Sequence, residues 1–187
     1  SSFDAGKSLI AAFDPKNLSY VLVISDGSTD DTAAIAKRFA SSTGGQVTLI
    51  ELPHGGKAAA LNAGMARATG DILVLTDARQ TLAPNSLRLL LENFSDPTVG
   101  AASGELVILQ GPTREEANVG LYWRYELWIR LRLSAIDSIF GATGAYYAIR
   151  RSLASPMPED TLLDDMHLPL AAFFKGYRLV VDPRARM

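Results

Sequence analysis

At 187 residues, 48% hydrophobic and 20% charged, the chain has the composition of one globular domain with a sizeable core. A formal net charge of −2 provides no basic field for nucleic acid, so that partner class is set aside. The lack of cysteine excludes disulfides and thiolate metal sites, and no apolar run reaches the length of a membrane span.

In chain order, Ala5 to Phe13 reads as a short helix with Leu9, Ile10 and Phe13 on one side, broken at Asp14-Pro15. Tyr20 to Ile24 is a continuous apolar run, the pattern of a strand buried on both faces. Ser25-Asp26-Gly27-Ser28-Thr29-Asp30-Asp31 follows at once. Ser28 or Thr29 is expected to cap a helix running to about Ala40, with Asp30 and Asp31 in its positive first turn. Asp26 thus stands at a strand-to-helix turn. It either makes that turn with Gly27 or accepts hydrogen bonds from a nucleobase or ribose.

Gln46 to Leu52 reads as a further strand, and His54-Gly55-Gly56-Lys57 leads into a helix from about Ala58 to Ala68, anchored by Leu61 and Met65. His54 reads as a loop residue, because no second histidine lies near to share a metal. Lys57 opposes the dipole preference of a helix amino terminus. It is either a solvated loop lysine or a cation placed for an anionic ligand. Ile72 to Leu75 is a short apolar run with a polar break at each end, again a buried strand. Asp77 lies just past its carboxyl end, where ligands bind in open α/β sheets. It either opens a turn or holds a hard divalent cation beside a phosphate.

Pro84 suits the first position of a helix with Leu87, Leu90, Leu91 and Phe94 as its apolar stripe, stopped by Asp96-Pro97. Val99 to Ser103 and Leu106 to Leu109 read as strands around Gly104, and Gln110 to Glu116 as a polar loop. Asn118 to Asp137 is a long helix whose Leu121, Tyr125, Trp128 and Ile129 read as a core face. Its Arg124, Arg130 and Arg132 either lie along the flanks, line an acceptor site or rest on a membrane surface. Gly141 to Ala145 is a small-residue loop before a strand, Tyr146 to Ile149; it lets backbone approach a ligand or makes a tight packing corner. Asp164 and Asp165 stand at a helix start, where capping accounts for one of them and a general base for the pair. Arg178 to Val181 is the last strand.

The order of these motifs carries more than any one of them. A strand ending in Asp-Gly-Ser-Thr-Asp is followed by Gly-Gly-Lys-x-x-Ala-Leu-Asn-x-Gly, by Gly-Asp-Ile-x-Val-x-x-Asp-Ala, by a Gly-x-x-Gly-Ala loop and by an acidic pair. From about Tyr20 to Pro183 the chain resembles the family-2 glycosyltransferases, which have the GT-A fold. The resemblance implies a single α/β domain with a Rossmann-like, mostly parallel sheet flanked by helices. It implies inverting transfer of a sugar from a nucleotide-diphosphate sugar, a UDP-sugar, to the hydroxyl of a saccharide or lipid-linked acceptor. Asp26 would recognise the uracil end of the donor. Asp77 would stand at the diphosphate and at a divalent cation, magnesium or manganese. Lys57 would contact the donor, and Gly144 would lie in the loop facing the donor sugar. Asp165 would be the base, with Asp164 its supporting neighbour. The same resemblance implies residence in the cytoplasm or at the cytoplasmic face of a membrane, held there through segments outside this chain.

Two departures accompany the resemblance. Arg79 stands where the family's D-x-D motif has its second aspartate. The cation is then held by Asp77, phosphate and water, or Arg79 itself binds the diphosphate and takes over part of the metal's charge. Ahead of Ser1 there is no apolar strand with an Asn-Glu loop, so residues 1–187 read as a domain truncated at both ends with its first strand absent. The chain also stops before the Gln-x-x-Arg-Trp signature, which leaves single transfer and polymer synthesis equally open. Two readings from other classes compete. One is a non-catalytic nucleotide- or polysaccharide-binding domain of the same fold, motivated by Arg79 and the missing first strand. The other is a nucleotidyltransferase, whose usual basic, Gly-rich loop after the first strand is at odds with the acidic turn at Asp26.

Overall fold

The computed structural model describes residues 20–107 and 114–187, with side chains except over 114–123. The helix expected at Ala5 to Phe13 lies outside the described residues. The elements are β1 (Val21–Asp26), α1 (Thr32–Ser42), β2 (Val47–Leu52), α2 (Gly56–Arg67), β3 (Ile72–Thr76), α3 (Ser86–Glu92), β4 (Val99–Glu105), α4 (Arg114–Ile136), β5 (Tyr146–Arg150), α5 (Asp164–Phe173) and β6 (Arg178–Arg186).

The strands form two sheets. β1 and β2 pair in parallel, Val21 opposite Val47 through Asp26 opposite Leu52. The second sheet has the order β3-β5-β4-β6, with β5 antiparallel to both neighbours and β4 parallel to β6. Its central strand β5 supplies the deepest core, Tyr146 to Ile149 being fully buried. Side chains alternate across a strand. Tyr147 and Ile149 therefore join Leu73, Leu168 and Leu179 on one face, while Tyr146 and Ala148 join Leu90, Val99 and Val180 on the other. Each large aliphatic side chain so buried contributes roughly 1.5–3 kcal/mol.

Several boundaries differ from the sequence reading. β4 runs through Gly104 to Glu105; of the strand expected at Leu106 to Leu109, Leu106 and Val107 are irregular and residues 108 and 109 lie outside the described residues. The glycine is needed because a Cβ there would run into the Tyr146 ring and come within 2.8 Å of the Ala185 carbonyl oxygen. β6 continues past Val181 through Pro183 to Arg186, carried by a register shift opposite Ser103 and Glu105 that accommodates the proline. Ser28 and Thr29 do not cap α1. The Ser28 hydroxyl is bonded to Ser25, and it is Asp30 Oδ1 that accepts the Thr32 N–H, at 3.0 Å. Pro84 precedes α3 by a turn, Ala83 to Ser86, with Asn85 at φ 62° as its third residue.

The largest correction concerns α4. It begins at Arg114, within the expected polar loop, and its inward face is Leu127, Arg130, Leu131 and Ser134. Leu127 and Leu131 pack on the core, Arg130 bonds to Ser103 and Thr143, and the Ser134 hydroxyl accepts the Val181 N–H. This is the spacing of a helix stripe, but two of its members are polar. Tyr125 and Trp128, expected in the core, are 60% and 54% exposed and stack on each other at 6.4 Å, with Arg132 over the Trp128 ring. Among the described residues, no helix is long and apolar enough to cross a membrane.

Candidate active site

The site is assembled around the head of α2. β1 and β3 both end there, one in Asp26 and the other just before Asp77. Asp26 accepts the N–H groups of Gly55 at 2.7 Å and Gly56 at 2.9 Å, and His54 Nδ1 lies 3.1 Å from its Oδ2. The hydrogen bond from Gly55, with that from Gly56 and the contact with His54, outweighs the cost of desolvation and holds the carboxyl below its ordinary 3.8. Gly27, at φ +65°, lets His54 pack this closely, since a Cβ there would lie 2.7 Å from it. Asp26 thus grips the loop that opens α2 and remains partly exposed at 22%.

Lys57 follows that loop and connects three parts of the chain. Its Nζ lies 3.0 Å from Asp164 Oδ1, 3.5 Å from the Gly144 carbonyl oxygen and 3.9 Å from Asp77 Oδ1. Arg79 reaches back to Asp77 Oδ2 at 3.8 Å while staying largely exposed. The Gly141–Ala145 loop is tied to the end of β3 by Asp77 N–H and the Thr76 hydroxyl, both donating to the Ala145 carbonyl at 3.1 Å.

α5 brings the acidic pair to the same place. Neither Asp164 nor Asp165 caps it: the cap residue is Leu163, and both carboxylates sit in the first turn, where the helix dipole favours them. They have different surroundings. Asp164 is 5% exposed, with Oδ1 on Lys57 and Oδ2 without a hydrogen-bond partner. The Tyr147 hydroxyl is likewise buried and lies beside this carboxyl; burial, then the charges of Asp164 and Asp165 and the polar interaction with Asp164, push its ionisation well above the ordinary range. Asp165 is half-buried and faces the loop so closely that a Cβ on Gly144 would lie 2.6 Å from its Oδ2. Its own carbonyl accepts the Ala142 N–H at 2.8 Å.

The structure therefore brings Lys57, Asp77, Arg79, Gly144, Asp164 and Asp165 into one cluster, with Asp26 at its edge through the loop that opens α2. It adds Arg130, which the sequence reading left open between the helix flank, an acceptor site and a membrane surface. The Arg130 guanidinium donates to Thr143 Oγ1 at 2.8 Å, Ser103 Oγ at 2.9 Å and the Gly141 carbonyl at 3.3 Å. Burial lowers its pKa, an effect opposed by the charges of Glu126 and Asp165. The signal was there in the spacing, three residues after Leu127 and one before Leu131, but an arginine inside an apolar stripe reads as a flank residue.

Among the described residues, no group of three acidic or histidine side chains could hold a metal ion. Asp77 offers a single carboxylate, its oxygens met by exposed cations at 3.9 and 3.8 Å. A divalent cation at Asp77 would have to displace these side chains from it and take its other ligands from phosphate and water.

Comparison with known proteins gives this cluster its context. Residues 5–155 match the family model described as Glycosyl transferase family 2. The chain belongs to this family. The glycosyltransferase domain is 25% identical to a probable glycosyltransferase, YdaM, of Bacillus subtilis (strain 168), over 96% of this chain and 45% of that protein. It is 31% identical to the poly-beta-1,6-N-acetyl-D-glucosamine synthase of Staphylococcus aureus (strain COL), over 88% of this chain and 41% of that protein. Among solved structures, it is similar to the mannosyltransferase PcManGT from Pyrobaculum calidifontis in complex with GDP-Man and Mn2+. The TM-score is 0.79 and the identity 29%, over 99% of this chain and 52% of that one. GalNAc-T7, crystallised with UDP, GalNAc and Mn2+, shares the fold with a TM-score of 0.70 at 16% identity, over 96% of this chain and 38% of that one. The expected α/β GT-A fold is thereby borne out. The domain spans about half the length, or less, of each of these relatives.

Proposed function

We propose that this domain carries the donor site and the base of an inverting glycosyltransferase. It would move a sugar from a nucleotide-diphosphate sugar, with UDP as the nucleotide, to an acceptor hydroxyl on a saccharide or lipid-linked sugar. The observation that carries this reading is the contact between Gly144 and Asp165. The accessible carboxylate of the pair stands over a loop tied to the Asp77 strand, so a base and a diphosphate site stand in one cluster.

In this reading Asp165 takes the proton of the acceptor hydroxyl. The acceptor oxygen forms its bond to the anomeric carbon as the bond from that carbon to the diphosphate oxygen breaks, and the electron pair leaves on the diphosphate. Lys57 and Arg79 supply positive charge on the leaving side. Asp77 would hold a divalent cation, whose charge offsets that of the departing diphosphate. Asp164, buried and paired with Lys57, positions the lysine and does not act as the base. Arg130 fixes the 141–145 loop beneath Asp165. Asp26 recognises the nucleobase with the lone pairs that Gly55 and Gly56 leave free. A family relative crystallised with GDP-Man and Mn2+ and another named as a polysaccharide synthase are in keeping with donors and acceptors of this class.

Calorimetric titration with UDP and with GDP, each with and without Mn2+, tests this. Binding of UDP that Mn2+ tightens is the expected result. Binding unaffected by the metal would assign the diphosphate to Arg79 and Lys57 alone. Binding of neither nucleotide would overturn the proposal in favour of a non-catalytic domain.

A further inference from the structure

The inward stripe of α5 is Asp164, Leu168 and Ala172, which share one face of the helix and are each 5% exposed or less. Leu168 and Ala172 pack in one cluster with Tyr147 and Ile149 of β5. The stripe therefore turns Asp164 toward the same face of β5, and the Tyr147 hydroxyl interacts with its carboxyl there. Two polar atoms are enclosed at this contact. Asp164 Oδ2 and the Tyr147 hydroxyl are both shut off from solvent, and neither makes a hydrogen bond. Buried polar groups are nearly always satisfied, so a donor and an acceptor left side by side call for a reason. Packing does not supply one. Phenylalanine at 147 would fill the same fully buried space with no hydroxyl to satisfy.

The partner that Asp164 does have faces solvent. Lys57 Nζ is 3.0 Å from Asp164 Oδ1, but the lysine is half exposed, and its Nζ also lies 3.9 Å from Asp77 Oδ1. Lysine is a point charge on a flexible stem, so a small swing of the ammonium takes it from Asp164 toward Asp77. With the diphosphate bound at Asp77, as in the function proposed above, its charge draws the ammonium that way. Asp164 would then be a buried carboxylate without its counter-ion, a costly state. The positive end of α5 favours the charge but gives Oδ2 no hydrogen bond. The Tyr147 O–H is a donor already in place beside it.

We propose that Tyr147 is a positioning residue of the donor site: when Lys57 turns to the diphosphate, the Tyr147 hydroxyl donates to Asp164 Oδ2 and takes the lysine's place on that carboxylate. The exchange lowers the cost of releasing Lys57, so the ammonium is available to the ligand. The proton stays on the tyrosine, whose ionisation burial holds above the ordinary range. This inference rests on the reading of Asp77 and Lys57 as the diphosphate site.

Tyr147→Phe tests it, by thermal unfolding and by calorimetric titration with UDP or GDP, whichever the unmodified domain binds, in the presence of Mn2+. The melting temperature of the free domain should be unchanged or raised, because the hydroxyl removed makes no hydrogen bond there. The nucleotide should bind about tenfold or more weakly, the loss of one hydrogen bond to a charged group. In the Asp164→Asn background the same change should alter affinity by less than about twofold, because no buried charge is left to satisfy. Carbon-13 at Tyr147 Cζ gives a direct signature: its resonance should move when nucleotide is added, and stay in place in the Asp164→Asn form. A lower melting temperature with unchanged affinity would make Tyr147 a packing residue and overturn the proposal. So would an equal loss of affinity in both backgrounds, or a Cζ resonance that nucleotide does not move. Binding of neither nucleotide by the unmodified domain would instead overturn the diphosphate reading, and this inference with it.

Discussion

Lys57 and Asp164 form a 3.0 Å ion pair between the head of α2 and the first turn of α5. Asp164 is 7% exposed at its side chain and Lys57 51%, so the pair is a buried carboxylate held by a cation that solvent still reaches. Removing the lysine strands the carboxylate in a site where its other oxygen already has no partner. Lys57→Met is expected to lower stability by about 1–2 kcal/mol, the low end for an uncompensated charge because the lysine is half exposed. Urea unfolding checks the stability. Calorimetry checks the accompanying loss, since nucleotide diphosphate should bind at least about tenfold more weakly without the cation.

The acidic pair should divide its effects cleanly. Asp165→Asn is expected to reduce turnover by about 10²–10⁴, the usual contribution of a general base, with melting temperature and donor affinity unchanged. Asp164→Asn should instead lower the melting temperature, because it removes the charge that Lys57 pairs with. Turnover assays and thermal unfolding of both variants read the difference. Equal losses of turnover with no loss of stability in either variant would contradict the assignment of Asp164 to positioning.

Asp26 makes the α2 entrance acid-sensitive. Its carboxyl is depressed below 3.8 in the folded protein, chiefly by the Gly55 N–H. A depressed carboxyl favours the folded state above its unfolded value, and that contribution fades as the pH falls through the lower, folded value. Amide exchange at Gly55 and Gly56 should therefore accelerate as the pH is lowered through and below 3.8, after correction for intrinsic rates. In Asp26→Asn the same amides should exchange rapidly at neutral pH and show no such transition.

Arg79 occupies the position from which a second carboxylate would serve a metal. Arg79→Asp should therefore tighten Mn2+ binding by about tenfold or more, through the added ligand and the loss of a competing cation 3.8 Å from Asp77. Asp77→Asn should remove whatever metal dependence nucleotide binding shows. Titration of Mn2+ in the presence of UDP measures both.

The sequence by itself determined the elements whose signals are local. The apolar runs at Val21–Ile24 and Ile72–Leu75, with an aspartate beyond each, marked the strands and the sheet edge where the cluster lies. The order of glycine, lysine and acidic motifs marked the family. Local periodicity could not say which face of α4 is inward, because Arg130 and Ser134 are buried by partners far along the chain, in β4, the 141–145 loop and β6. It could not separate Asp164 from Asp165 either. Adjacent residues on a helix point about 100° apart, and only the packing of α5 on Tyr147 and Lys57 decides which carboxylate is shut in and which is left open. Nor could it see that β5 runs antiparallel between β3 and β4, since strand pairing joins residues distant in sequence and is settled only when the sheets assemble.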